Sequence, residues 1–316
     1  MFEKKDFIYA VYKEKSFSKA AKKMFVSQPS LSATIKKSEE KIGLDIFDRS
    51  CNPVQLTNFG KKYIDSVEKI MSIEKELSNY VCDINNLKTG SFSLGSNSLY
   101  VSYVLPQYVF NFLQKYPNIE LNLVESSTKD LEERLMSNEL DIIIDNKELS
   151  SDLYEKYYFG TEYLVFAVPA NYSCNNNAKE YQFTYDEIIN NEHINSEKRT
   201  VPLSLFKDIP IIIMTQGNDT RARTDKIFDY FNISPKISLE LNQLSTIFHI
   251  ASAGSAACFI SDTLIKKYPK KIEDMYFYTL PISLSRRDVY FQFKINKYLS
   301  KAVLAFINTC IPIKIY

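Results

Sequence analysis

The sequence predicts an α/β protein in three parts: a small helical head with a wing, one long helix, and two α/β halves in tandem. Three observations carry that expectation. Residues 1–62 hold 13 Lys/Arg against 7 Asp/Glu, while residues 63–316 hold 26 against 31, so a basic head precedes a mildly acidic body. From Phe59 to Leu87 apolar residues recur at spacings of three and four, the mark of a helix with one sticky face. From Ser91 to Ile260 short apolar runs alternate with helical periodicity, which predicts β-α-β units.

In the head, Phe7, Ile8, Val11 and Tyr12 share one face of a first helix, and Ser16-Phe17-Ser18 interrupts it. Ser18 is expected to cap a second helix, Lys19 to Phe25, whose Ala20, Ala21 and Met24 allow close packing. Ser27 caps a third, with Pro29 in the first turn, where its missing N–H costs nothing, and Leu31, Ile35 and Ile42 turned inward. The opposite face of that helix leads with Gln28, Pro29, Ser30 and Ser32 and continues to Lys36 and Lys37. Small polar groups followed by cations is the order in which a recognition helix meets base edges and then phosphates. Gly43 suits the helix end, and extended pieces around Cys51-Asn52-Pro53 form the wing. Pattern alone leaves open a three-helix head with a hairpin and no nucleic-acid role.

The long stretch places Tyr63, Val67, Ile70, Leu77, Val81 and Ile84 on one stripe, with Glu74 its polar member. About 29 residues span roughly 43 Å, too long to be covered by one small head, so a second copy of the chain is the expected partner, against the alternative of an intrachain core helix. In the body the expected strands are Ser91–Gly95, Ile119–Glu125, Ile142–Ile144, Tyr163–Val168, Pro210–Met214, Lys236–Leu241 and Ala256–Ile260. The expected helices are Val101–Lys115, Leu131–Met136, a short one near Tyr185–Asn190, Thr220–Phe231, Leu244–Ala253 and Tyr298–Thr309. Two such halves imply a cleft at the strands' carboxyl ends, where helix N-termini present amides.

Several chemistries lose their signatures. Five scattered cysteines without a C-x-x-C pair suggest neither a disulfide framework nor a zinc site, and only His193 and His249 are present, so no metal is expected. Seven separated glycines form no phosphate-binding loop or nucleophile elbow, and no nucleophile–base pair is visible, so the chain is expected not to be an enzyme. No apolar run is long enough for a membrane helix and the N-terminus lacks a signal-peptide core, which makes the cytoplasm the expected location and argues against membrane association.

The runs Ser16-Phe17-Ser18-Lys19-Ala20-Ala21, Val26-Ser27-Gln28-Pro29-Ser30-Leu31-Ser32, Glu39-Glu40-Lys41-Ile42-Gly43, Phe47-Asp48-Arg49 and Leu56-Thr57-Asn58-Phe59-Gly60 resemble the winged helix-turn-helix of LysR-type transcriptional regulators. Leu94-Gly95, Leu105-Pro106, Tyr116-Pro117-Asn118-Ile119, Leu140 to Ile144, Pro210 to Ile212 and Ala251 to Gly254 resemble that family's effector-binding domain, which has the periplasmic-binding-protein-like fold of two subdomains. Ala33 stands where members often carry a DNA-reading arginine, and Ser38 where a core leucine is usual.

The resemblance implies a DNA-binding domain at residues 1–58 and a linker/dimerisation helix at 59–88. Subdomain I would then comprise 91–162 and 269–316, and subdomain II 163–268. It implies DNA contact by Ser27, Gln28, Pro29, Ser30, Ser32, Ala33, Lys36, Lys37, Arg49 and Asn52. Effector contact falls to Ser98, Leu99, Tyr100, Thr128, Asn218, Asp219, Thr220 and Arg221, with Arg221 or Arg223 neutralising an anion. The implied partners are double-stranded DNA carrying an inverted-repeat operator, a second copy (homodimer, further a homotetramer), a small polar or anionic metabolite, and RNA polymerase. No cofactor besides that effector is expected. A solute-binding protein of the same fold without a regulatory role is the alternative, and the basic head and missing export signal run against it.

Overall fold

The computed structural model describes residues 1–84, 90–194 and 200–311, without the side chains of Cys82 and Ile84. The chain divides into two compact units, Met1–Val81 and Cys82–Tyr316.

The first unit is the predicted head: α1 (Lys5–Glu14), α2 (Phe17–Lys23), α3 (Gln28–Ile42), the two-stranded wing β1 (Phe47–Asp48) and β2 (Gln55–Leu56), and α4 (Asn58–Ile84), whose far end passes beyond the unit. Ile8, Val11, Ala20, Ala21, Leu31, Ile35 and Phe47 close its core. The cap of α2 differs from expectation: Ser16, not Ser18, accepts the Lys19 amide, at 3.4 Å. The helix therefore starts two residues earlier and stops before Phe25, which sits at φ 54° and is 96% exposed. Gly60 is required where α4 passes the wing, because a Cβ there would overlap the Ile46 carbonyl oxygen.

The predicted seam on α4 needs correction. Tyr63 and Val67 are 3% and 0% exposed, and both belong to the head's own core; Tyr63 stacks on Phe2 at 5.2 Å and donates to the Met1 carbonyl. Glu74 turns to Lys5 at 3.0 Å. The solvent-facing stripe starts later, with half-buried Ile70, then Ile73 (64% exposed), Leu77 (63%) and Val81 (52%). The side chain of Ile84 lies outside the described residues. Local periodicity sees one continuous stripe, and only tertiary packing divides it between a head that covers its first turns and an exposed remainder.

In the second unit, β3 (Gly90–Ser96), α5 (Leu105–Lys115), β4 (Ile119–Glu125), α6 (Thr128–Met136) and β5 (Ile142–Asp145) form a parallel β-α-β-α-β set in the order β4-β3-β5. Residues Tyr100–Val104, before α5, are wound as a π-helix. A 16-residue strand, β6 (Tyr154–Pro169), follows.

The second half adds β7 (Gln182–Phe183), α7 (Tyr185–Ile189), β8 (Pro210–Met214), α8 (Asp219–Phe231), β9 (Lys236–Leu241), α9 (Leu244–Ser252), β10 (Ala257–Ser261) and α10 (Asp262–Lys267). Then come β11 (Met275–Tyr278), α11 (Ile282–Ser285), β12 (Arg286–Lys294) and α12 (Lys301–Cys310). Here β9-β8-β10 are parallel, and Ile211 sits opposite Ala257.

The strand β6 joins the halves. Its first part pairs antiparallel with β12, which in turn lies beside β5, and its last part pairs with β10 and β11. This moves a boundary. Residues 269–285 do not complete the first half, because β11 lies on the distal end of β6 and Tyr278 and Leu280 are buried with Leu164, Phe166 and Phe206 of the second half. The chain returns at Arg286, where β12 begins. The strand expected at Tyr163–Val168 is also longer, since its polar first part carries no apolar run to announce it.

Candidate nucleic-acid interface and ligand cleft

The face of α3 away from the core is built as the sequence predicts. Ser27 accepts the Ser30 amide at 3.3 Å, which leaves Gln28, Pro29, Ser30 and Ala33 exposed on the first turns and Ser32 half-buried. Lys36 and Lys37 are exposed further along, and Asn52 stands exposed on the wing. Ser38, at the position where a leucine is usual, satisfies its hydroxyl on the Thr34 carbonyl at 3.1 Å. An exposed helix start followed by cations attracts an extended anion, because the helix dipole and the side-chain charges act in the same sense.

Arg49 has a second task. Its guanidinium lies 2.7 Å from Glu39 and 5.3 Å above the Phe17 ring, and it remains 38% exposed at the side chain. Glu39, only 4% exposed, also accepts the amides of Ile46 (2.8 Å) and Phe47 (3.1 Å). One buried carboxylate thus ties α3 to the start of the wing, and Arg49 compensates its charge.

In the second unit a cavity of about 360 Å³ opens between the halves. Ser98, Leu99 and Thr128 line it from one half and Asn218, Asp219 and Thr220 from the other, so six of the eight residues expected there are brought together. The helix starts around it are capped by their own chain. Asn97 Oδ1 accepts the Tyr100 amide (3.3 Å), Ser127 Oγ the Asp130 amide (3.3 Å), and Asn218 Oδ1 the Thr220 amide (2.8 Å). Thr128 donates to Asp145 at 2.9 Å, and Asp145 also accepts the Lys147 amide at 2.9 Å. Asp145 is fully buried, and desolvation pushes its carboxyl up to about 6.

Two expected residues are not in the cleft. Tyr100 is 2% exposed and packs edge-on against Phe159 at 6.1 Å; burial raises its phenol well above the ordinary range. Arg221 turns back along α8: its Nε lies 2.8 Å from Asp225, and its Nη1 donates to the Met214 carbonyl (2.9 Å) and lies 3.2 Å from Glu240. Arg223 is likewise held, by Asp219 at 2.9 Å and by the carbonyls of Leu284 and Arg286.

The cation that does line the cleft is Arg287, 2% exposed, which donates to Thr220 Oγ1 at 2.8 Å and pairs with buried Glu162 at 2.9 Å. Sequence reasoning missed it. The available signal was Arg286-Arg287-Asp288 inside a strand, where alternation must turn one of two successive arginines inward.

Residues 6–61 match the family described as bacterial regulatory helix-turn-helix protein, lysR family, and residues 85–312 match the LysR substrate binding domain. The chain belongs to the LysR family. It is 28% identical over 264 residues to a probable RuBisCO transcriptional regulator of Phaeodactylum tricornutum, across 82% of this chain and 79% of that one. It is 26% identical over 311 residues to a protein of the same description from Trichormus variabilis, across 96% and 85%.

Among solved structures, a full-length OxyR variant from Pseudomonas aeruginosa superposes with TM-score 0.68 at 19% identity, covering 96% of this chain and 92% of that one. Full-length CbnR in complex with its target DNA gives 0.62 at 15%, covering 98% of each. At such identities the structural likeness establishes the fold. As a LysR-type regulator, the protein combines a DNA-binding helix-turn-helix with an effector-binding domain. Among the described residues no helix is long and apolar enough to cross a membrane, and no group of metal-ligating side chains is assembled.

Proposed function

We propose that this LysR-family regulator reads an operator through the first turns of α3, with Gln28, Pro29, Ser30 and Ser32 at base edges. Lys36, Lys37 and the exposed edge of Arg49 then meet phosphates, and Asn52 follows the backbone from the wing. The observation that carries this reading is the exposed face of α3: polar residues on the exposed first turns, then two lysines that make no ion pair among the described residues.

Two copies pair through Ile70, Ile73, Leu77 and Val81, and such a homodimer calls for an inverted repeat. Assembly to a tetramer would follow the same logic at a second surface. The protein acts in the cytoplasm and by binding rather than catalysis; around the cleft Asn97, Ser127 and Asn218 cap helices, and Asp219 and Arg287 are held in ion pairs. A small polar effector held by both halves favours their closed arrangement and so shifts the regulator between states.

The test is to sequence genomic fragments retained by the purified protein and to footprint one of them. Inverted-repeat protection that disappears with Leu77→Asp, while that variant sediments as a monomer, supports the reading. Retention without sequence preference, or an unchanged oligomer in Leu77→Asp, refutes it.

A further inference from the structure

Phe25 is an aromatic side chain that the fold does not use. It stands in the turn between α2 and α3 and is 96% exposed, more than any other large apolar residue among those described; Tyr230 and Ile282 follow at 65%. Singly exposed apolar residues are ordinary, but this one also sits where its residue type is least at home. Two hydrogen bonds close the end of α2: the Val26 N–H donates to the Ala21 carbonyl at 3.0 Å and the Phe25 N–H to the Lys22 carbonyl at 3.3 Å. That closure sets Phe25 at φ 54°, in the left-handed region that glycine and asparagine enter most easily. Four of the other five non-glycine residues with positive φ are asparagines: Asn138, Asn191, Asn232 and Asn296. Phe25 thus strains the backbone and buries no ring in return, so folding gives no reason for an aromatic here.

Its surroundings supply one. Phe25 precedes Gln28 by three residues, so at most about 11 Å separates their Cα atoms. A major groove is roughly 12 Å wide, which keeps the ring within reach of the duplex that Gln28 enters. Lys22, exposed in the last turn of α2, makes no ion pair among the described residues, whereas the acid on α1 below, Glu14, is held by Lys23 at 2.8 Å. A protein surface apolar enough to cover the ring would have to desolvate Lys22, while a duplex offers that lysine a phosphate. The apolar projection that a base edge offers in the major groove is the thymine C5-methyl.

Resting on the reading that the first turns of α3 meet base edges, we propose that Phe25 is a further specificity residue of the DNA-binding head. Its ring packs on a thymine C5-methyl in each half-site, and Lys22 meets the adjoining phosphate. The strained turn is kept because the ring is used only in the complex.

The test uses the full-length protein and a footprinted operator. Asparagine suits the left-handed turn, so the urea-unfolding midpoint of Phe25→Asn is expected to equal or exceed that of the parent. Its operator affinity should nevertheless fall about tenfold at an unchanged salt slope, since an apolar contact releases no counterions. Phe25→Tyr keeps the ring and should keep most of the affinity. Thymines of one half-site are then replaced singly by deoxyuridine, which lacks the methyl. At one of them the parent is expected to lose about fourfold, the worth of one buried carbon at about 0.8 kcal/mol, and Phe25→Asn to lose nothing.

Unchanged affinity in Phe25→Asn, an equal loss in Phe25→Tyr, or the same deoxyuridine response in parent and Phe25→Asn at every thymine overturns the proposal. Unchanged operator affinity with an altered response of RNA polymerase would put a protein on Phe25 instead, and overturns it as well. If the parent protects an inverted repeat and only these Phe25 results fail, the regulator reading stands. If the parent protects no specific sequence, that reading fails and Phe25 falls with it.

Discussion

The exposed face of α3 and the cleft of the second unit both present charge to a ligand, yet they are built in opposite ways. On α3, Lys36 and Lys37 stand in water and make no ion pair among the described residues, so their attraction is long-ranged and screened by salt. At the cleft, Arg287 on the wall and Glu162 beside it are 2% and 1% exposed and hold each other. Their charges are spent on structure, and Asp219 on the cleft wall is likewise held by Arg223 at 2.9 Å. Exposed cations declare a partner's sign directly, whereas a buried cation declares it only after its own counter-ions are counted.

The largest effect that would break this comparison is expected from Arg287→Met. If Arg287 is chiefly half of a buried pair, its loss strands the Glu162 carboxylate and lowers unfolding stability by about 3–5 kcal/mol, while Glu162→Leu in addition restores most of it. A urea-unfolding midpoint that barely moves in the single variant would show that Arg287 is a ligand-facing charge after all.

A second, slightly smaller effect concerns Asp145. Its carboxyl is raised to about 6 in the folded chain from 3.8, so the folded state keeps a proton that the unfolded chain has already lost. That contribution to stability is present below about pH 4 and falls away as pH rises through 6, by about 3 kcal/mol in all. Asp145→Asn cannot ionise, so its stability relative to the parent should improve by most of that amount between pH 4 and pH 7.5. A pH-independent difference between the two proteins would place Asp145 in a wetter, better-compensated site than the cleft described here.

On α3 the expected effect is set by salt. With three or four phosphate contacts per subunit, a dimer neutralises about six to eight charges, and log K should fall with log salt at a slope of roughly −5 to −7. Lys36→Ala removes one contact per subunit and should make that slope shallower by about 2, with the same loss on every sequence. Gln28→Ala should instead blur sequence preference at an unchanged slope. Equal slopes for parent and Lys36→Ala would remove Lys36 from the phosphate contacts.

The smallest effect sharpens the comparison from within the cleft's own neighbourhood. Arg221→Ala loses pairings with Asp225 and Glu240, both of them half-exposed, and is expected to leave effector titration unchanged. A lost response would bring Arg221 into the pocket despite its backward turn.

How far the sequence reaches can be judged from the same residues. The caps at Ser27 and Gly43, the inward Leu31 and Ile35, and the parallel strand at Ile142–Ile144 were legible because each follows from a few neighbouring residues. Ser18 was mistaken for the cap of α2 because Ser16 and Ser18 offer the same hydroxyl, and the choice between them depends on where α1 lets the chain turn. Tyr63 and Val67 were read as part of the pairing stripe because apolar period does not say which apolar surface arrives first.

By itself the sequence determined the kind of molecule: a basic helical head, a long helix and two α/β halves with a cleft between them. Such features are written in short-range periodicity, caps and charge content. Tertiary structure alone decided which turns of α4 stay exposed, that β11 belongs to the second half, and that Arg287 rather than Arg221 reaches the cleft. Each of those outcomes depends on groups far apart in the chain, such as Glu162, Thr220 and Arg287, competing for the same small volume from which water is excluded. A residue's partner there is set by who else is buried beside it, and no local pattern encodes that.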